Sequence, residues 1–275
     1  MLTGDIREHA LLFIYGSGEN GKSVFLNTIR RILGGYGRTA PMDMFTAARG
    51  ERHPTDLAML HGARLVCATE TEEGRAWAEA MIKQITGGDK IAARFMRQDF
   101  FEYSPQFKLM FLGNNMPTLK SADVSTRRRF NIVPFAHKPA APDRQLEVKL
   151  QTEWPAILRW MIQGCLEWQA NGLQRPGVVI EATDAYFDAQ DRFGRWLAER
   201  CLVRPNLQSQ PGVLLADCRR WAEANGEDPL TGPVFRNAME KVAGVRYVKV
   251  HGHQWIKGIN LGPWRTPNGD EGGGG

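Results

Sequence analysis

Residues 11–23 read Leu11-Leu12-Phe13-Ile14-Tyr15-Gly16-Ser17-Gly18-Glu19-Asn20-Gly21-Lys22-Ser23. A short apolar run enters a glycine-rich turn, and residues 23–33 continue with helical spacing. The turn matches G-x-x-x-x-G-K-[ST] in the strand-then-helix context that this phosphate-binding pattern requires. Gly16, Gly18 and Gly21, with Asn20 in the turn, let backbone N–H groups curl around phosphate oxygens. Lys22 reaches the outer phosphates, and the Ser23 hydroxyl ligates Mg²⁺. The stretch predicts a nucleotide site that takes ATP with Mg²⁺, and it leaves the subsequent reaction open.

Two further apolar runs follow, each too short for a lone helix and suited to a buried parallel strand. Residues 64–69 run into Glu70-Thr71-Glu72-Glu73. A carboxylate there can hold Mg²⁺ and polarise an attacking water. Glu70 stands at the strand end and is the first choice, with Glu72 and Glu73 as alternatives. Residues 108–112 run into Gly113-Asn114-Asn115-Met116-Pro117, whose polar tip can meet the γ-phosphate and position water. Next comes Arg127-Arg128-Arg129. One arginine of the three suits a finger reaching a neighbouring subunit's site, because guanidinium stabilises charge on a transferring phosphoryl. The expected fold is an α/β P-loop ATPase with a parallel sheet, a helical segment and a small C-terminal domain.

The 275 residues leave room for more than one compact unit. Lys plus Arg outnumber Asp plus Glu by 35 to 30, a mild lean toward polyanions. No apolar run approaches the length of a membrane span, and no signal peptide is evident, so neither a membrane partner nor secretion is expected. The 4 cysteines lack metal-finger spacing and suggest a reducing cytoplasm. The zones are residues 1–137, a helical connector at 138–190, a third zone at 191–262, and a glycine-rich disordered tail at 263–275. Leu150, Trp154, Ile157, Leu158 and Met161 recur as one packed helical face. In the third zone Phe193, Trp196, Leu197 and Cys201 fit one helix, and Leu214, Leu215, Cys218 and Trp221 fit a second. A third begins at Thr231-Gly232-Pro233 and runs to about Ala243. Val245–Val250 and residues 254–257 read as a β-hairpin. Three helices plus a hairpin suit a winged-helix module, with Arg236, Asn237 and Lys241 facing duplex DNA; a packing module for a partner protein is the alternative. His251 and His253 lack the further ligands of a metal site.

The ordered motifs resemble a family. They are the phosphate loop; residues 62–66 leading into Glu70-Thr71-Glu72; Ile82-Lys83-Gln84-Ile85-Thr86-Gly87-Gly88-Asp89; Asn114-Asn115-Met116-Pro117; and Arg128-Arg129 ahead of Pro134-Phe135. This order resembles the superfamily 3 DNA helicases, in particular the helicase part of phage and plasmid primase-helicases of the poxvirus-like branch. The resemblance implies an AAA+-like domain working as a homo-oligomer, usually a hexameric ring, in the cytoplasm of a bacterial or phage-infected cell. It implies that Lys22 and Ser23 are the Walker A pair and that Glu70 or Glu72 is the Walker B acid. It further implies that Asn114 is the sensor and that Arg128 or Arg129 is the finger. A hairpin at about residues 91–105 is expected to grip single-stranded DNA, with Lys90, Arg94 and Arg97 supplying charge and Phe95, Phe100 and Phe101 supplying stacking or packing surface. Relatives usually carry an upstream oligomerisation region and a primase domain. This implies a primase partner or an absent N-terminal domain. The rival readings are an ATP-switched DNA-binding initiator that does not unwind, and a small-molecule P-loop kinase.

Overall fold

The computed structural model describes residues 1–47, 54–69, 75–119 and 123–263. The chain divides into Met1–Gln190 and a second unit from Asp191 onward.

In the first unit the elements are β1 (Leu11–Tyr15), α1 (Lys22–Leu33), β2 (Gly37–Thr39), α2 (Pro54–Ala58), β3 (Leu65–Thr69), α3 (Glu79–Gly87), β4 (Ile91–Ala93), β5 (Phe101–Tyr103), β6 (Lys108–Gly113), α4 (Val124–Arg127), β7 (Phe130–Pro134), α5 (Leu146–Thr152), α6 (Trp154–Asn171) and α7 (Gly177–Gln190). Five strands form one parallel sheet in the order β2-β3-β6-β1-β7, so the apolar run quoted above lies inside the sheet. Strand side chains alternate between faces. Leu11, Phe13, Val66, Ala68, Leu109 and Phe111 enter one core with Trp77, Ile82, Ile85, Tyr186 and Phe187. Ile14, Leu65, Cys67, Met110 and Leu112 enter the other beneath Leu26, Ile29 and Leu33 of α1. Covering both faces is what lets β1, β3 and β6 be apolar throughout.

The helical segment departs from expectation in two ways. First, α7 is part of the first unit's core, not a connector. Tyr186 and Phe187 are buried against Phe130, and the Trp77 indole donates to the Tyr186 hydroxyl at 2.9 Å. Second, α5 and α6 present no fully buried residue. Trp154, Ile157 and Met161 are half-buried, while Trp160, Ile162 and Leu166 on the remaining surface are exposed.

The second unit runs α8 (Arg192–Arg200), β8 (Cys201–Ser209), α9 (Pro211–Ala224), α10 (Gly232–Met239), β9 (Arg246–Val250) and β10 (His253–Leu261). Its antiparallel sheet has the order β8-β10-β9. Trp196, Leu214, Cys218, Trp221, Phe235, Met239, Ile256 and Ile259 form a separate core. Cys201 opens β8 instead of closing a helix, because Cys201-Leu202-Val203 pairs with Leu261, Asn260 and Ile259 of β10. Helix α10 stops at Met239, short of Ala243. The hairpin turns at His251-Gly252, both at positive φ, as a two-residue turn requires. Residues 264–275, most of the expected tail, lie outside the described residues. Among the described residues no helix is long and apolar enough to cross a membrane.

Candidate functional site

The phosphate loop leaves the carboxyl end of β1 and enters α1. Gly16 is required by a close approach: a Cβ there would lie 2.4 Å from the Phe135 carbonyl oxygen. The Asn20 amide fixes the loop by donating to that same oxygen at 2.6 Å. Gly21, at φ 83°, turns the chain into α1, whose N-terminus has no side-chain cap and no acid in its first turn.

Lys22 is 7% exposed. Its ammonium donates to the Gly16 carbonyl at 2.6 Å, to Asn20 Oδ1 at 2.9 Å and to Asn114 Oδ1 at 3.2 Å. Burial lowers its pKa from the ordinary lysine value. The register explains why Asn114 arrives here: Tyr15 pairs with Gly113, so both strands end together. On the far side of β6, Thr69 pairs with Leu112, so β3 also ends at this edge. Glu70, Glu72 and Glu73 follow Thr69 and lie outside the described residues.

A buried cation, an exposed hydroxyl on Ser23 and a helix N-terminus with no acid in its first turn make a donor set without a competing anion among the described residues. That set fits the phosphates of a nucleotide. Ser23 is the described residue that would hold Mg²⁺.

The three consecutive arginines occupy three environments. Arg127 donates to Asp184 at 2.8 Å and to Asp188 at 3.3 Å, and its guanidinium lies over the Phe187 ring. Hydrogen bonding to Asp184 raises its pKa. Arg129 is 8% exposed, with Nε on Thr86 Oγ1 at 3.1 Å and a second nitrogen on the Ser125 carbonyl at 2.5 Å. Burial, then the charge of Arg128, lowers its pKa. Arg128 is exposed, and among the described residues its guanidinium has no acidic partner.

The turn that carries them is capped by Asp123, which accepts from Thr126 N at 2.7 Å, Ser125 Oγ at 2.9 Å and Lys83 Nζ at 2.7 Å. Burial opposes the Asp123 charge, yet these donors hold its carboxyl far below the usual range. Sequence reasoning passed over Asp123 and gave Thr86 no role of its own, although an Asp just ahead of a short helix is a recognisable cap signal.

Strands β4 and β5 form the expected hairpin, pairing Ile91 with Tyr103 and Ala93 with Phe101. Arg97 sits in its loop at φ 59°. Arg94 covers the Phe100 ring at 4.8 Å, and Phe95 stacks on Phe101 at 5.3 Å. Phe100 is 61% exposed. Lys90 pairs with Glu102 at 3.6 Å, whereas Arg94 and Arg97 have no acidic partner among the described residues. In the second unit, exposed Arg236 is already engaged, with Glu240 at 2.9 Å and over the Tyr247 ring. Lys241 is exposed just beyond the end of α10.

Residues 14–129 match the model of a family of unknown function, DUF5906. A protein named "Putative helicase L207/L206" of Acanthamoeba polyphaga mimivirus is 26% identical over 247 residues, covering 82% of this chain and 26% of that protein. "Putative helicase 022R" of Frog virus 3 is 25% identical over 242 residues, covering 79% of this chain and 25% of that protein. The chain thus spans about a quarter of the length of these curated relatives. Apo structures of the NrS-1 C terminal region superpose with TM-scores of 0.53 and 0.50, each over 93% of this chain and about two thirds of that one, at 11% identity. That likeness is one of fold. The chain is a homologue of viral proteins that carry the helicase name, and it has the fold of the NrS-1 C terminal region.

Proposed function

We propose that this chain is the ATP-driven motor of a DNA helicase that serves the replication of a mobile genetic element. The observation that carries the reading is the meeting of Lys22 and Asn114 where β1 and β6 end, on a chain related to helicase-named proteins. The uncapped α1 N-terminus and Lys22 bind the phosphates of ATP. Ser23, with Glu70 or Glu72, would hold Mg²⁺, which would supply charge neutralisation to the phosphates. Asn114 leaves Lys22 to orient the attacking water, and the strand-end carboxylate takes its proton. An arginine from the next subunit stabilises the transferring phosphoryl, and Arg128 is the member of the pair that is exposed and has no acidic partner among the described residues. The β4–β5 hairpin grips single-stranded DNA through Arg94, Arg97 and the exposed Phe100. The subunits form a closed ring in the cytoplasm of the host cell, with a primase as partner.

The test is ATP hydrolysis across a protein concentration series, with and without single-stranded DNA. Turnover per subunit is expected to climb with concentration and to rise with DNA. Turnover that is flat and indifferent to DNA would sink the motor reading. A second reading is an ATP-switched initiator. It is favoured by the second unit's helix and strand order, α8-β8-α9-α10-β9-β10, which suits a winged helix. Duplex binding without strand separation would select it.

A further inference from the structure

The turn between α6 and α7 brings Arg175 against the arginine turn. Its guanidinium donates to the Arg128 carbonyl at 2.5 Å. Arg175 and Arg128 line a groove of about 240 Å³ with Val124, Ile180 and the paired Arg127 and Asp184. Asp184 is committed to Arg127. Two guanidinium heads are left beside an apolar wall with no acidic partner among the described residues, and such an arrangement calls for an anion.

Two features say where the anion comes from. The groove is smaller than the roughly 300–1,000 Å³ of a pocket that encloses a whole small ligand. It suits the protruding end of an anion held elsewhere. The chain's own phosphate loop cannot supply that anion. Leu11 N bonds the Arg129 carbonyl at one end of β1, while the loop leaves Tyr15 at the other. The intervening strand spans roughly 13 Å, longer than an arginine side chain. Val124, on the rim and 82% exposed, gives the groove an apolar lip for contact with protein.

We infer that Arg175 acts with Arg128 as a second cation, presented to the nucleotide phosphates held in the Lys22 loop of a second copy of this chain. The inference rests on the motor reading above and adds a residue from the helical segment to its site.

The experiment compares Arg175→Ala, Arg175→Gln and Arg175→Lys with wild type in the concentration series. Binding of a fluorescent ATP analogue to each dilute protein serves as the folding control. Analogue binding is expected to be unchanged. Turnover is expected to fall about a hundredfold in the Ala and Gln variants and to be partly restored in the Lys variant. Mixing Arg175→Ala with Lys22→Ala, which keeps both arginines, should regain activity, since one contributes the loop and the other the groove.

Three results overturn the inference. One is wild-type turnover in Arg175→Gln, which would make Arg175 an anchor for a carbonyl. Another is no gain on mixing. The third is a loss confined to single-stranded DNA affinity, which would assign the groove to DNA phosphates. Failure of the motor reading looks different: wild-type turnover itself would not depend on concentration, and both claims would fall together.

Discussion

Lys22 donates to three oxygens, and a triphosphate drawing on its ammonium would have to displace at least one of them. On the proposed mechanism the longest of the three bonds, to Asn114, would give way and free the amide for water. Asn114→Ala is therefore expected to leave ATP affinity within a few-fold and to lower turnover about a hundredfold; equal losses in both would contradict the sensor role. Arg128 and Arg129 separate cleanly by experiment. Arg129→Ala removes a nearly buried guanidinium and its bonds to Thr86 Oγ1, which keeps its bond to the Ile82 carbonyl, and to the part-buried Ser125 carbonyl. It should cost roughly 2–3 kcal/mol in urea unfolding. Arg128→Ala should change stability by no more than about 0.5 kcal/mol while abolishing turnover. The sequence showed that an arginine pair stands here but not which member is free. That depends on how the Asp123-capped turn runs into β7, which residue spacing does not reveal.

At the scale of elements, β1, β3 and β6 were legible because burial on both faces makes each a continuous apolar run bounded by glycine or acid, whereas the part-exposed Gly-Arg-Thr of β2 and the Asn131-containing β7 carry no such run. β8 was not legible either. Its side chains are mostly exposed, Pro205 interrupts it, and it is defined only by pairing with β10 some fifty residues later. The role of α7 was hidden for a related reason. Pro176-Gly177 signalled a break, but the broken-off helix returns to the sheet through Val179, Thr183, Tyr186 and Phe187, a spacing that needs the partner β7 to give it meaning. The β4–β5 hairpin was anticipated, and its loop yields a prediction in two parts. Arg97 adopts a left-handed backbone that glycine accepts more readily. Arg97→Gly should raise stability by about 0.5–1 kcal/mol. The same change should weaken single-stranded DNA binding and reduce its salt slope by about one. Unchanged DNA binding would remove Arg97 from the grip.

For the molecule as a whole, the division at Gln190 separates the two cores of the first unit's sheet from the second unit's core, which shares no residue with either. A fragment of residues 191–263 is expected to unfold cooperatively with about 3–5 kcal/mol of stability, as one small core allows. It should bind duplex DNA in a salt-dependent way. Failure to fold would show that its core depends on the first unit; folding without DNA binding would favour a protein-packing role. The sheet's direction has a consequence of its own. The phosphate loop and the arginine groove lie at opposite strand ends, so a contact that joins one to the other is heterologous, with a donor face and an acceptor face. Such a contact builds no self-complementary pair. An open chain of subunits always has one fewer finished site than members, and only closure removes the two idle ends. On the motor reading proposed above, enclosing a strand of DNA and completing the last site would be a single event, and turnover would peak only once the assembly had nothing left to recruit.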